Sequence, residues 1–149
     1  MAFLWDPEMA VGVPLIDEQH QELVRRVNAL LAVMHRGWAR LETEHLLVFL
    51  AGYVAQHFRA EERLMERSGF PDAARHRLEH ADFARRLEAL RVKFQAEGST
   101  CDLSIAVNRF VCGWLRQHLG GADVALARHL RAAGEAEAGD EPPRAVRWG

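Results

Sequence analysis

Residues 46–71 read LLVFLAGYVAQHFRAEERLMERSGFP, and this stretch decides the fold class. Its apolar residues recur at spacings of three and four, which places them on one face of an α-helix. The pattern ends at residues 68–71, SGFP, a combination typical of a turn. The stripe consists of Leu46, Leu50, Tyr53, Val54, His57, Glu61, Leu64 and Met65. His57 and Glu61 thus occupy positions on the face that should be buried.

Three further segments show the same helical period, and no segment shows the alternation of a long strand. The first stripe is Ile16, His20, Leu23, Val24, Val27, Leu30, Leu31 and Met34; the third is His76, His80, Phe83, Leu87, Leu90 and Phe94; the fourth is Leu103, Val107, Phe110, Val111, Trp114, Leu115 and His118. Four such helices with short connections predict an all-α protein, an antiparallel up-down-up-down four-helix bundle.

The helix ends follow from capping residues and turn signals. We expect Asp17 to cap the first helix behind an extended N-terminal arm, Asp102 to cap the fourth, and the third to end before Gly98. A short additional helix is expected over 124–133. Residues 134–149 are rich in Gly, Glu and Pro and are expected to form a solvated tail, in which Trp148 either folds back or is unused. The predicted domain is therefore 1–133, with a tail over 134–149.

Composition excludes several classes of protein. The chain has 149 residues, of which 49% are hydrophobic and 27% charged, as in a single globular domain. A formal charge of −2 gives no reason to expect nucleic acid. The N-terminus lacks the features of a secretory signal and no stretch is long and apolar enough to span a membrane, so we expect a cytoplasmic protein. Cys101 and Cys112 would be roughly 16 Å apart on one helix and should stay free thiols.

Five of the eight histidines fall on the apolar stripes: His20, His57, His76, His80 and His118. A single histidine on such a face is more often an ordinary core residue, but a bundle core offers few hydrogen-bond partners for five imidazoles. A metal ion that accepts their lone pairs removes the cost of burying them. His35, His45 and His129 lie off the stripes and are expected at the surface. Glu62 is expected either at the surface or in hydrogen-bond contact with a metal-binding residue.

The spacing of the polar residues favours chelation. His57 and Glu61 are four residues apart, as are His76 and His80, so each pair shares one helical face. Asp123 follows His118 by five residues, which on a regular helix turns the two side chains in different directions. The intervening residues 120–121 are both glycine. They either permit a π-bulge that turns Asp123 towards the core or end the fourth helix, so that Asp123 caps the next.

Five histidines and two carboxylates are too many ligands for one tetrahedral zinc ion. With both carboxylates bridging and one bridging solvent, they nearly complete two octahedra and leave one position for a small ligand. Imidazole together with bridging carboxylate favours iron, so a di-iron centre is predicted. The predicted ligands are His20, His57, Glu61, His76, His80, His118 and Asp123.

These motifs, in this order, resemble those of the hemerythrin family, and specifically its single-domain bacterial members. The resemblance covers roughly residues 5–130. It is carried by Trp5, residues 11–13 (VGV), residues 16–20 (IDEQH), His57-Phe58, Glu61-Glu62, His76 and His80 with Phe83, Trp114-Leu115, His118-Leu119 and Asp123.

The resemblance implies two iron ions, Fe2+ or Fe3+, joined by an oxo or hydroxo bridge, that bind O2 reversibly. By analogy His76, His80 and His118 would bind one ion, His20 and His57 the other, and Glu61 and Asp123 both. The implied O2 pocket is lined by Phe58, Phe83, Leu115 and Gly121, although Phe58 and Phe83 fit plain core packing equally well. Many family members have bulkier residues at the positions of Gly120 and Gly121. This chain is therefore expected to have a roomier ligand pocket and faster autoxidation than those relatives.

Three functions are compatible with this reading. The first is O2 binding for storage, delivery or sensing, by a non-enzymatic monomer that supplies an O2-consuming partner protein. The alternative is a di-iron enzyme acting on peroxide or nitric oxide. Since no acid-base residue is evident beside the predicted site, we rank this alternative lower. The third is a metal-handling or redox-sensing module, which is disfavoured because the 149 residues contain no appended signalling domain.

Overall fold

Four long helices follow one another in this computed structural model, which describes residues 4–34, 39–98 and 100–134. They are α1 (Pro14–Met34), α2 (Ala39–Ser68), α3 (Ala73–Glu97) and α4 (Cys101–Gln117). Helix α2 packs against the other three, and chain neighbours run antiparallel. The described residues contain no strand. The prediction of an all-α four-helix bundle is confirmed.

Beyond α4 the chain stays helical. One π-helical turn, His118–Ala122, continues directly into α5, Asp123–Ala132. The predicted short helix is therefore present, although it begins one residue earlier and is continuous with α4. The residues of the expected tail after Gly134, including Trp148, lie outside the described residues.

The start of α1 differs from the prediction. The helix begins at Pro14, and a short 3-10 turn, Pro7–Met9, interrupts the arm that was expected to be extended. Proline suits the first turn of a helix because its missing N–H has no intrahelical partner there. Asp17 therefore lies inside the helix, where its carboxylate accepts the backbone N–H groups of Val11 (2.7 Å) and Gly12 (3.1 Å). Its role as the N-cap was wrongly predicted; it anchors the arm instead.

The cap of α4 was also wrongly predicted. The side chain of Thr100 accepts the backbone N–H of Leu103 at 3.1 Å, so Thr100 and not Asp102 is the N-cap. Thr100 has the extended backbone that an N-cap requires, whereas Asp102 is already helical. The end of α3 before Gly98 is confirmed, because Gly98 has φ +71°, a conformation that favours glycine.

The buried apolar residues form one large cluster and two small ones, and the polar core residues lie between them. Along α2 the large cluster extends to Phe58 and a small cluster begins at Met65, with Glu61 in between. Along α1, His20 lies between Ile16 of a small cluster and Leu23 of the large one. Apolar side chains therefore enclose a polar layer from both ends, which lowers the local dielectric and strengthens electrostatic interactions there.

Two simpler expectations concern cysteine and the membrane. Cys101 and Cys112 are both free thiols. None of the helices in the described ranges is long and apolar enough to cross a bilayer.

Candidate metal centre

The seven predicted ligands converge in the polar layer although they come from five elements. Helix α1 contributes His20, α2 contributes His57 and Glu61, α3 contributes His76 and His80, the π-helical turn contributes His118, and α5 begins with Asp123. All seven are buried, with at most 2% of any side chain exposed. The helical spacing read from the sequence thus corresponds to one compact site.

Four of these residues form what we call the three-histidine cluster: Glu61, His76, His80 and His118. Each offers one ligand atom, and these atoms lie within 4.8 Å of one another. The Nε2 atoms of His76 and His80 are 3.2 and 2.9 Å from Oε2 of Glu61. The Nε2 atom of His118 is 3.2 Å from that of His80. This is the geometry of ligands that surround one cation.

The two-histidine cluster is formed by His20, His57 and the same glutamate. Its Nε2 atoms lie 3.3 Å (His20) and 3.0 Å (His57) from Oε1 of Glu61. The two Nε2 atoms are only 2.8 Å apart. At this distance the two rings either share one proton in a hydrogen bond or, with both Nδ1 atoms protonated, direct both Nε2 lone pairs at one cation.

Both carboxylates lie between the two clusters. Glu61 directs Oε2 at the three-histidine cluster and Oε1 at the two-histidine cluster. Asp123 does the same: Oδ1 is 3.2 Å from Nε2 of His76 and 3.0 Å from that of His118, while Oδ2 is 3.3 Å from Nε2 of His20. Each carboxylate therefore presents one oxygen to each cluster, as required of a ligand that bridges two ions.

The buried charges fit a bound cation. Oε1 of Glu61 and both carboxylate oxygens of Asp123 are buried and accept no hydrogen bond. Burial alone raises the pKa of Glu61, but the charge of His57 and the close approach of the other histidines lower it well below its usual range. Burial also raises the pKa of Asp123, as does the charge of Glu61, yet His118 and His76 lower it. Both groups are thus carboxylates at neutral pH and need positive charge beside them.

Three of the histidines are oriented from outside the site. The Nδ1–H group of His57 donates to the amide oxygen of Gln19 at 2.7 Å. The Nδ1–H groups of His80 and His118 donate to carboxylate oxygens, of Glu62 at 3.1 Å and of Glu79 at 2.9 Å. A proton on Nδ1 leaves the lone pair of Nε2 free for a metal ion.

These outer partners were largely missed in the sequence. Glu62 was considered as a supporting group, but Gln19 and Glu79 were not singled out. Gln19 precedes His20 and Glu79 precedes His80, yet each supports a histidine of another helix, 38 and 39 residues away. A polar residue next to a ligand is a weak signal, since helical periodicity does not show which side chain of a neighbouring helix it meets.

The turn between His118 and Asp123 decides how both enter the site. It is π-helical, as one of the two sequence alternatives predicted, and the alternative in which the glycines end the fourth helix is wrong. A π-helical turn contains more residues than an α-helical one, so side chains five apart come onto the same face. Neither Gly120 nor Gly121 has a positive φ, so the conformation does not require glycine at these positions.

Aromatic rings enclose the histidines. Phe58 stacks on His80 with centroids 3.8 Å apart, and Trp114 stacks on His118 at 4.2 Å. Phe83 packs against Trp114 at 4.3 Å and, like Leu115, is fully buried. Phe58 therefore contacts a cluster histidine directly, whereas Phe83 packs one layer further out.

Tyr53 is a further residue beside the site that the sequence stripe did not distinguish from ordinary core. Its ring stacks on His57 with centroids 4.6 Å apart. Its hydroxyl is buried and has no hydrogen-bond partner. Burial, with the nearby charges of Glu61 and Asp123, raises the pKa of this hydroxyl well above its usual value, so it stays protonated. Tyr53 thus offers an unused donor near the two-histidine cluster.

Gly121 lies apart from these rings. It is exposed and lines a surface cleft of about 390 Å³ together with His76, Phe70, Arg75 and Glu79. A Cβ atom at Gly121 would meet nothing within 4 Å. The cleft is therefore an approach to the three-histidine cluster from solvent.

The remaining histidines differ from one another. His45 is exposed, as predicted. His129 is half-buried, contrary to the prediction: its Nε2 donates to the carbonyl of Ser68 at 2.9 Å and its ring packs against Phe70. It satisfies a carbonyl at the end of α2 and so attaches α5 to that end. His35 lies outside the described residues.

The chain is similar to known proteins along most of its length. The family described as Hemerythrin HHE cation binding domain matches residues 11–136. A protein named Bacteriohemerythrin from Stenotrophomonas maltophilia is 32% identical, over 89% of this chain and 84% of the relative. Another Bacteriohemerythrin, from Methylococcus capsulatus, is 32% identical over 78% of this chain and 86% of its own length. A Hemerythrin-like protein from Naegleria gruberi is 30% identical over 82% and 88%. The matched residues include all seven predicted ligands, and the chain belongs to the hemerythrin family.

Proposed function

We propose that this protein binds O2 reversibly at a non-haem di-iron centre. The observation that carries the proposal is that Glu61 and Asp123 each direct one oxygen at each histidine cluster. Two ions bridged in this way, with imidazole as the other ligand, suit iron better than zinc or magnesium. When bound, the iron pair with its oxo or hydroxo bridge cycles between Fe2+ and Fe3+ and so exchanges electrons reversibly with O2.

The two clusters have different roles in this proposal. His76, His80 and His118 would hold one ion and His20 and His57 the other, with both carboxylates shared. The two-histidine cluster supplies fewer donors, so a small ligand has room to bind on its side. Tyr53, stacked on His57, would offer its hydroxyl proton to a polar ligand there.

The surrounding rings would exclude water. Phe58, Phe83 and Leu115 are buried next to or just outside the histidines, and an apolar wall slows the entry of the water and protons that promote autoxidation. The residues that enclose the site are thus suited to binding O2 without consuming it. Whether O2 is stored, delivered to an O2-consuming partner or sensed stays a prediction, as do the monomeric state and the domain limits 1–133 and 134–149.

The experiment that tests the function combines iron analysis with spectroscopy. The reduced protein is expected to contain about two iron ions per chain and to be colourless without O2. Air should produce a ligand-to-metal charge-transfer band, and argon should remove it. A band that appears in air and then persists under argon would contradict reversible binding.

A second candidate function is chemistry on peroxide or nitric oxide, and the unpartnered hydroxyl of Tyr53 is the observation that favours it. A hydroxyl that stays protonated beside the two-histidine cluster would donate a hydrogen bond to a bound substrate and stabilise the negative charge that develops on it. Turnover well above that of free iron, and lost in a Tyr53→Phe variant, would make the protein an enzyme. Without such turnover, Tyr53 acts only in binding.

Gly121 gives a prediction about autoxidation. Replacing Gly121 with leucine should narrow the cleft beside His76, hinder water entry and slow the conversion of the O2-bound form to the ferric form several-fold. The rate is followed by the decay of the charge-transfer band in air. Gly120→Leu is the matched control, since Gly120 is exposed but does not line the cleft. Equal rates in the two variants would show that the cleft is not the route.

A further inference from the structure

We propose that the two metal positions fill in a fixed order, and that Glu62 and Glu79 set it: the three-histidine cluster binds its ion first and more tightly than the two-histidine cluster. The inference rests on the proposed function, because it presumes two ions. It assigns a positioning role to residues that touch the histidines and not the metal.

Two histidines of the three-histidine cluster are supported by carboxylates. Nδ1 of His80 is 3.1 Å from Oε1 of Glu62, and Nδ1 of His118 is 2.9 Å from Oε2 of Glu79. The glutamates are only partly exposed, 34% and 38%, while the imidazoles are buried. The third histidine, His76, has no partner at Nδ1.

The two-histidine cluster has neutral support only. Nδ1 of His57 donates to the amide oxygen of Gln19, a residue that is 5% exposed. Nδ1 of His20 is buried and has no hydrogen-bond partner. The outer surroundings therefore place a carboxylate in hydrogen-bond contact with two histidines of one cluster and with neither histidine of the other, where Asp17 interacts with His20 only through space.

This difference acts on the metal through the imidazole ring. A carboxylate that accepts the Nδ1–H proton makes Nε2 more electron-rich, and charge-assisted hydrogen bonds are about twice as strong as neutral ones. Removal of such an outer partner typically costs about 10–100-fold in metal affinity. The three-histidine cluster has two such carboxylate partners and one more histidine than the other cluster. Both differences favour tighter metal binding there.

The order has a consequence for function. When iron is scarce, the chain would carry one ion in the three-histidine cluster, held by the three histidines together with Glu61 and Asp123. The ion in the two-histidine cluster, on the side where a small ligand has room, would be the last to enter and the first to leave. O2 binding would then depend on iron supply more steeply than the first binding step does.

The test is a titration of the metal-free full chain with Co2+ alone, followed by calorimetry and by the visible absorption of the bound ion. The wild-type protein should show two resolved steps. Glu62→Gln and Glu79→Gln should each weaken the first step by about 10–100-fold and change the second much less. Gln19→Glu should tighten the second step by about tenfold, because it places a carboxylate behind His57.

Glu66→Gln is the matched control. Glu66 is exposed on α2 one turn beyond Glu62, so the substitution changes the net charge equally without altering a histidine contact. Circular dichroism of the metal-free variants checks that the helices are intact. Rescue by Glu79→Asp, but not by Glu79→Gln, would identify the carboxylate as the active feature.

The outcomes separate this inference from the proposed function. Uptake of two ions in one unresolved step, or the same effect in Glu62→Gln, Glu79→Gln and Glu66→Gln, overturns the order proposed here and leaves the di-iron assignment intact. A second step that is unaffected by Gln19→Glu likewise overturns it. If the metal ions bind in the proposed order but the iron-loaded protein does not bind O2, the inference about the order is supported and the proposed O2-binding function is refuted.

Discussion

Replacement of Glu61 by glutamine is expected to reduce the iron content from about two ions per chain to well below one and to abolish the O2 spectrum. Glu61 is the one residue that belongs to both clusters, and it directs a different oxygen at each. Glutamine has nearly the same shape but no negative charge, and one end of its amide is a donor that repels a cation. Metal analysis after anaerobic reconstitution measures the loss.

A graded comparison makes this result specific. His57→Ala removes a ligand of the two-histidine cluster only, so it should leave about one ion per chain. Glu66→Gln, which changes the same charge on an exposed side chain of α2, should keep the full iron content. If His57→Ala still bound two iron ions and O2 normally, the ligand assignment would be refuted. Normal iron and O2 binding by Glu61→Gln would refute it as well.

Removal of the metal is expected to lower the thermal stability strongly. Without a metal ion the negative charges of Glu61 and Asp123 repel each other. They then depend on protonated His76 and His118, whose pKa values these carboxylates raise despite burial. Protons on two histidines replace less positive charge than two divalent ions would supply. A ligand present at about 1,000 times its Kd stabilises the folded state by about 4 kcal/mol. For a chain of this size that corresponds to a difference in Tm of about 8–16 °C between the loaded and metal-free forms.

Circular dichroism melts with chelator and with added metal measure this difference. Glu61→Gln provides the control, because a chain that cannot retain the ions should melt at the same temperature with and without metal. That variant is also expected to be less stable than the metal-free wild type, since it removes the carboxylate that pairs with the buried histidines. A wild-type Tm that is indifferent to metal would mean that the clusters do not bind it in the folded state.

The helices were predicted well because each depends on residues close in sequence. Apolar stripes such as Ile16 to Met34 show the helical period directly, and the turn at residues 68–71 ends α2 where it was expected. Helix starts were less predictable. Asp17, Thr100 and Asp102 are all capping residue types, and whether such a side chain caps its own helix depends on where the preceding backbone lies.

The candidate ligands were also visible in the sequence. Their four-residue spacings place His57 and Glu61 on one helical face, and likewise His76 and His80. This does not depend on how the helices pack, because the period of an α-helix is a local property. The π-helical turn was foreseen as one of two possibilities, since two glycines permit either. The choice between them depended on the site itself: continuing the helix brings Asp123 to His76 and His20, contacts that a capping role would not make.

The order of the residues determines the period of each helix, and with it the burial of the predicted ligands other than Asp123. The division of those ligands into two clusters, and the pairing of His57 with Gln19, His80 with Glu62 and His118 with Glu79, exists only once the helices have packed. The physical reason is that periodicity determines which face a side chain shares with its own helix, whereas the rotation and offset of neighbouring helices determine which atoms meet across the core.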